Sequence, residues 1–172
     1  MNNISVQLHG VLMVVFDLGI FITGRSGIGK SELALTLIDR GHQLVADDAP
    51  VFYRVNNTIS GQCPADFSGL LEVRDLGIID IKQQFGQHAF CQQHSVSFKM
   101  QLVDNAVNET NRLQPHWQPY ELLGINLPEL TIHAATTKYL PLLIETAAHQ
   151  FKMNNSTVAA SFRINYPHRV AS

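Results

Sequence analysis

The chain has 172 residues and a formal net charge of −2, with 12 Lys and Arg against 14 Asp and Glu. That length buries a core in one domain or slightly more, without disulfide or metal staples. The charge balance and the lack of any Lys/Arg cluster argue against a nucleic-acid partner, and Cys63 and Cys91 fit neither a disulfide framework nor a zinc spacing. In chain order, residues 6–16 are rich in Val and Leu and predict a strand. Asp17-Leu18-Gly19 then turns it into a second strand over Leu18–Thr23. Residues 11–23 are the one stretch apolar enough to suggest a signal or membrane segment. Asp17 and Gly19 interrupt it and no basic flank precedes it, so two short strands, no membrane contact and a cytoplasmic setting are expected.

The second strand runs into Gly24-Arg25-Ser26-Gly27-Ile28-Gly29-Lys30-Ser31, a phosphate-binding loop of the form G-x-x-x-x-G-K-[ST]. Its glycines let the backbone wrap so that successive N–H groups face one anion. Lys30 is set to reach the β- and γ-phosphates, and the Ser31 hydroxyl to ligate Mg²⁺. A helix is predicted from Glu32 to Arg40, with Gly41 as its C′ residue. Strand, loop and helix together put a phosphate at a helix N-terminus, where the free N–H groups and the dipole favour an anion. The chain therefore binds a nucleoside triphosphate or descends from one that did. A dinucleotide fingerprint fits poorly, because Glu32 stands where its third glycine would be.

Beyond the loop helix, Gln43–Ala46 predicts a short buried strand ending in Asp47-Asp48. Val51–Val55 and Thr58-Ile59 flank a hairpin turn at Asn56-Asn57, and residues 60–69 read as a loop. Residues 72–85 are mixed. Residues 95–103 alternate with period two as a half-buried strand, 105–119 read as a polar surface excursion, and 120–135 as short strands broken by Pro128. Residues 140–153 predict an amphipathic helix with Leu140, Ile144, Ala147, Ala148 and Phe151 on one face, stopped by Asn154-Asn155. The domain is expected to span 1–155, with 156–172 a tail packed on it or on a partner.

Two features could supply chemistry to a bound phosphate. Asp47 and Asp48 follow a strand, so in extended chain they face opposite ways, one toward Mg²⁺ and one toward an acceptor hydroxyl. The plainer alternative is a turn with two solvated acids. Glu72 and Arg74, two apart, share a face as a metal-ligating carboxylate beside a guanidinium that steadies a transferring phosphoryl group; the alternative is a structural ion pair.

Several blocks in series resemble the catalytic domain of the HPr kinase/phosphorylase family, whose members act on a serine of the phosphocarrier protein HPr. They are His9-Gly10-Val11-Leu12, Ile22-Thr23-Gly24 with Ser26-Gly27-Ile28-Gly29-Lys30-Ser31-Glu32, Arg40-Gly41-His42 with Leu44-Val45-Ala46-Asp47-Asp48, and Leu71-Glu72-Val73-Arg74 with Leu76-Gly77-Ile78-Ile79. Ile144-Glu145 and Ala147-Ala148 add a fainter likeness. The resemblance implies an α/β fold: a P-loop kinase domain with a mixed β-sheet, like HPr kinase and the nucleotide-binding domain of phosphoenolpyruvate carboxykinase. It implies ATP and Mg²⁺ as cofactors and HPr as partner, with phosphorylase activity on phosphoserine-HPr and a homo-oligomer, commonly a hexamer.

Carried over by position, the loop residues Gly24, Arg25, Ser26, Gly27, Ile28, Gly29, Lys30 and Ser31 hold the nucleotide, with Lys30 also catalytic. Ser31 and Glu72 go to the metal, and Asp48 is the further carboxylate available to it. Asp47 deprotonates the acceptor serine, His9 lies near Asp47 and sets its charge state, and Arg74 attends the transferring group. The chain starts close to His9, where full-length members carry a further N-terminal domain, and so resembles the catalytic-domain-only form. It departs from the family pattern at Arg25, at Asp75 where glycine is usual, and at Ala135-Thr136-Thr137-Lys138-Tyr139 in place of an arginine-rich stretch linked to phosphorylase activity. Two other readings stand beside HPr kinase: a kinase of another protein, peptide or small hydroxyl acceptor, and a non-catalytic nucleotide sensor.

Overall fold

The computed structural model describes residues 4–104, 115–134 and 139–157. Residues 105–114, 135–138 and 158–172 lie outside these. With them go most of the expected surface excursion, all but Tyr139 of the stretch that departs from the arginine-rich pattern, and nearly all of the tail. The described chain forms one large mixed sheet, a two-stranded hairpin and three helices. The strands are β1 (Ser5–Gln7), β2 (Val11–Val15), β3 (Leu18–Thr23), β4 (Gln43–Ala46), β5 (Val51–Val55), β6 (Thr58–Gln62), β7 (Leu70–Val73), β8 (Gly77–Asp80), β9 (Gln93–Val103), β10 (His116–Leu122) and β11 (Ile125–His133). The helices are α1 (Lys30–Asp39), α2 (Ile81–Phe85) and α3 (Leu140–Thr157).

The sheet runs β1-β5-β6-β9-β3-β2-β4, with β11 also paired to β9 and β10 to β11. β3 lies parallel to β9 and antiparallel to β2, which makes the sheet mixed, as expected. β2 is apolar at every position because both faces of the sheet are covered there. Val11, Met13 and Val15 join the core beneath α1 and α3, while Leu12 and Val14 join a second core with Phe21, Phe52 and Ile59. α1 buries Leu33, Ala34, Leu37 and Ile38 on one stripe, the 3.6-residue spacing that seats it on the sheet. It ends as expected at Gly41 (φ 95°): Gly41 N–H donates to Ile38 O (2.9 Å) and His42 N–H to Leu37 O (3.0 Å), a complete Schellman closure.

Several expected boundaries change. Residues 6–16 are two strands rather than one. Gly10 (φ 151°) breaks them, and a Cβ there would meet Ile22 O and Phe21 Cε2 at 2.6 Å, so β1 leaves for β5 while β2 enters the sheet centre. The β2–β3 turn is Phe16-Asp17, both at positive φ, and Gly19 already lies in the strand. β6 continues to Gln62, where a loop was expected from residue 60, because Ser60, Gly61 and Gln62 pair with β9. Pro128 does not break β11. It sits opposite Pro119 on β10, just before the β9 pairing begins at Glu129, so no ladder hydrogen bond is lost. Pro119 belongs to β10 rather than to the excursion. α3 runs on through Asn154 and Asn155 to Thr157, so the expected domain boundary at 155 falls inside the helix.

Candidate active site

The apolar strand β3 delivers the chain to the loop at Gly24 (φ 152°), where a Cβ would press on Leu102 O at 2.9 Å. Gly27 (φ 78°) and Gly29 (φ 97°) take left-handed conformations that other residues adopt only under strain. Gly29 then serves as the N-cap of α1, with Leu33 N–H donating to its carbonyl (3.0 Å). Lys30 is only 8% exposed, and its Nζ donates to Gly24 O (3.0 Å) and Arg25 O (3.1 Å). The ammonium is thereby held across the mouth of the loop.

Around this loop is a cleft of about 360 Å³ lined by His9, Ser26, Gly27, Gly29, Lys30, Ser31, Glu32, Asp47, Asp48, Glu72 and Arg74. Residues up to 65 positions apart in sequence are thus gathered by β2, α1, the β4 end and the β7–β8 hairpin. Three of the expected nucleotide residues do not line it. Gly24 packs against Leu102, Ile28 packs on the core, and Arg25 pairs through Nε with Asp104 while its Nη1 donates to Ser26 O (3.1 Å). Arg25 therefore adds less charge at the phosphate mouth than its position in the sequence suggests. Glu32, in the first turn of α1, also lines the cleft, a residue to which sequence reasoning attached no role. Its place straight after Lys30-Ser31 was the available signal.

The acids occupy distinct environments. Asp48 has φ 62°, so the chain turns there and the strand alternation expected of the pair does not apply; both carboxylates face the same cleft. Asp47 is partly buried, and its Oδ2 accepts Glu72 N–H at 3.0 Å. Burial pushes its carboxyl above the ordinary range, opposed by that N–H and by the Asp48 N–H. His9 lines the same cleft as Asp47 and pairs with its neighbour Asp48. Its Nδ1 lies 2.7 Å from Asp48 Oδ1, because the Gly10 N–H is tied to the Asp48 carbonyl (3.2 Å) and brings the two side chains together. The Arg74 guanidinium reaches over the loop, 3.2 Å from where a Gly27 Cβ would sit. Asp75 has φ 67°, so the position where glycine is usual in the family does take a left-handed backbone.

Ser31, Asp48 and Glu72 offer hard oxygen donors that suit Mg²⁺ or Ca²⁺. Among the described residues no cluster of three or more His, Cys, Asp or Glu could hold a metal by itself. A divalent cation here would take one or two carboxylates together with oxygens of a bound phosphate. Four carboxylates and two fixed cations, Lys30 and Arg74, line the cleft. A divalent ion would offset the repulsion between those acids and an incoming triphosphate.

The sequence profile described as HPr Serine kinase C-terminal domain matches residues 3–166. This chain belongs to that family. HPr kinase/phosphorylase of Burkholderia cenocepacia (strain HI2424) is 43% identical over 141 residues, covering 81% of this chain and 44% of that protein. The enzyme of the same name from Paraburkholderia phymatum matches equally well. The chain thus spans less than half the length of these curated relatives. Among solved structures, the Hpr(Ser) kinase/phosphatase from Coxiella burnetii superposes with a TM-score of 0.82 at 37% identity, over 88% of this chain and 99% of that one. The α/β P-loop kinase fold with its mixed sheet is therefore established. Among the described residues no helix is long and apolar enough to cross a membrane.

Proposed function

We propose that the chain is an ATP- and Mg²⁺-dependent serine kinase acting on HPr, with His9, Lys30, Asp47, Asp48, Glu72 and Arg74 as its working side chains. The observation that carries this reading is Asp47: a partly buried carboxyl in the same cleft as Lys30 and Ser31 of the phosphate loop. A pure nucleotide sensor has no use for a base at that point. Phosphoryl transfer asks for positioning, charge neutralisation and a group that receives the acceptor proton.

The loop amides and Lys30 bind the triphosphate, while Ser31 and Glu72, with Asp48 beside them, hold Mg²⁺. When bound, the ion would supply positive charge that offsets that of the phosphates. Asp47 takes the proton from the acceptor serine as its oxygen bonds to the γ-phosphorus and the bond to ADP breaks. Glu72 N–H fixes the orientation of that carboxylate. Arg74, reaching over Gly27, steadies the charge on the moving phosphoryl group. His9 acts one step removed, by holding Asp48. With inorganic phosphate in place of ADP, a phosphate oxygen attacks the phosphorus of phosphoserine-HPr, the serine oxygen leaves and takes a proton from Asp47, and pyrophosphate is released. A homo-oligomer, a hexamer by family resemblance, completes the reading.

Incubation with labelled ATP, Mg²⁺ and purified HPr, followed by a chase with inorganic phosphate, tests it. Label on an HPr serine, released again in the chase, is expected. Nucleotide binding without transfer to HPr would leave only the sensor or another acceptor. Mass measurement in solution tests the oligomer.

A further inference from the structure

We propose that the outward face of the β7–β8 hairpin is where a protein acceptor docks. Ile78 and Leu76 would receive an apolar side chain beside the reacting hydroxyl, and the hairpin's acidic margin would receive a basic one. The proposal rests on the kinase reading above and names the surface that selects its acceptor.

The hairpin has two unlike faces. Leu71 and Val73 are buried against the core beneath α1, which fixes the opposite face outward. Antiparallel pairing sets Ile78 directly across from Glu72, so the two side chains share that outward face at a Cβ separation of about 5 Å. Glu72 lines the cleft, yet Ile78 is 70% exposed and Leu76, at the turn, 67%. An isolated exposed leucine is unremarkable on any surface. Two large aliphatic side chains on the rim of a phosphoryl-transfer cleft, one of them facing a candidate metal ligand across the hairpin, are placed where an acceptor must arrive. The turn that projects Leu76 is built with Asp75 at φ 67° and Gly77 at φ 78°, with Leu76 N–H tied back to Val73 O (3.1 Å).

Charge points to the same occupant. Asp75 and Asp80 are exposed on the hairpin, while Glu72 faces the cleft and Lys82 lies against Gly69 at the hairpin's base. Arg74 is turned toward Gly27 of the loop, which leaves the outer margin acidic. A small hydroxyl acceptor would sit inside the cleft and gain nothing from this rim. A protein segment with an apolar and a basic residue next to its serine would cover it.

The test compares the wild-type chain with Ile78→Thr, which keeps β-branching in the strand, with Ile78→Thr combined with Leu76→Ser, and with Ile78→Leu. HPr phosphorylation, ATP affinity and mass in solution are measured for each. The expected result for the Thr and double variants is a KM for HPr raised roughly tenfold, with kcat within about twofold and ATP affinity unchanged. Ile78→Leu restores the wild-type KM. Raising NaCl increases the wild-type KM, and Asp75→Asn weakens that salt dependence. If the wild type transfers phosphate to HPr but these variants keep its KM, the docking surface is wrong and the kinase reading stands. A fall in mass in the variants would make this face a contact between copies and overturn the proposal. No transfer by the wild type overturns the kinase reading and this proposal with it.

Discussion

On the proposed kinase reading Lys30 and Asp47 have separate roles in the cleft, and substitutions at each should separate binding from chemistry. Lys30 closes the loop onto Gly24 and Arg25 and lines the cleft. Lys30→Ala should therefore lose ATP-dependent phosphorylation by at least about 100-fold and weaken nucleotide binding, checked by transfer assay and by titration with a fluorescent ATP analogue. Asp47→Asn keeps an oxygen to accept Glu72 N–H, so the cleft retains its shape. Nucleotide affinity should stay near wild type while kcat falls by about 100-fold or more, the usual weight of a general base. The reverse pattern would exchange the roles of Asp47 and Asp48. The phosphate-loop motif was legible in the sequence because its residue types and spacing are local, and five of its eight residues line the cleft. The partner of His9 was not, since it follows from a turn at Asp48 that residue type alone leaves open.

The elements that carry these residues depend on close contacts between strands and on a clamp between helices. β3 must approach β9 closely, and a Cβ on Gly19 would lie 2.0 Å from Ser95 O. Gly19→Ala should cost about 3 kcal/mol or more and lower the thermal midpoint, because backbone has to move on both strands. At the far end of α1, Arg40 Nε and Nη2 donate to Glu145 of α3 at 2.7 and 2.6 Å, and His42 Nε2 lies 2.9 Å from the same carboxylate. The Arg40 hydrogen bonds, chiefly, hold the Glu145 carboxyl down at about 2. A carboxylate depressed in the folded state stabilises fully above its unfolded value near 4.5 and loses that contribution as pH falls toward 2. Glu145→Gln should therefore destabilise by about 2 kcal/mol at neutral pH. Its gap to wild type in urea denaturation should narrow steadily below about pH 4.5. Arg40-Gly41-His42 and Ile144-Glu145 stood out in the sequence as separate blocks. That they meet required knowing that α3 returns to the end of α1.

The two cores divide the molecule at the sheet, and the helix-side core supports the site. Phe98 of β9 is fully buried there, 5.0 Å from Phe151 and 5.5 Å from Trp117 between ring centroids. Phe98→Ala should cost about 3–5 kcal/mol in urea denaturation, with m nearly unchanged, because it opens a cavity between β9, β10 and α3. Periodicity in residues 95–103 and 140–153 was enough to find the strand and helix that make this core. It could not foresee that β9 pairs with β3 along one stretch and with β6 and β11 along others.

The phosphate-loop motif is written in local sequence, because its glycines, lysine and serine fall at fixed spacing within eight consecutive residues. So are the β3–α1 unit and the Schellman stop at Gly41, which answer to local hydrogen bonding and conformational preference. The break at Gly10, the pairing of Arg25 with Asp104, the union of His9 with Asp48 and the outward face of Ile78 belong to the packed molecule. Each depends on which distant segment lies alongside, and pairing between remote strands is set by the burial of the whole sheet rather than by the residues on either side.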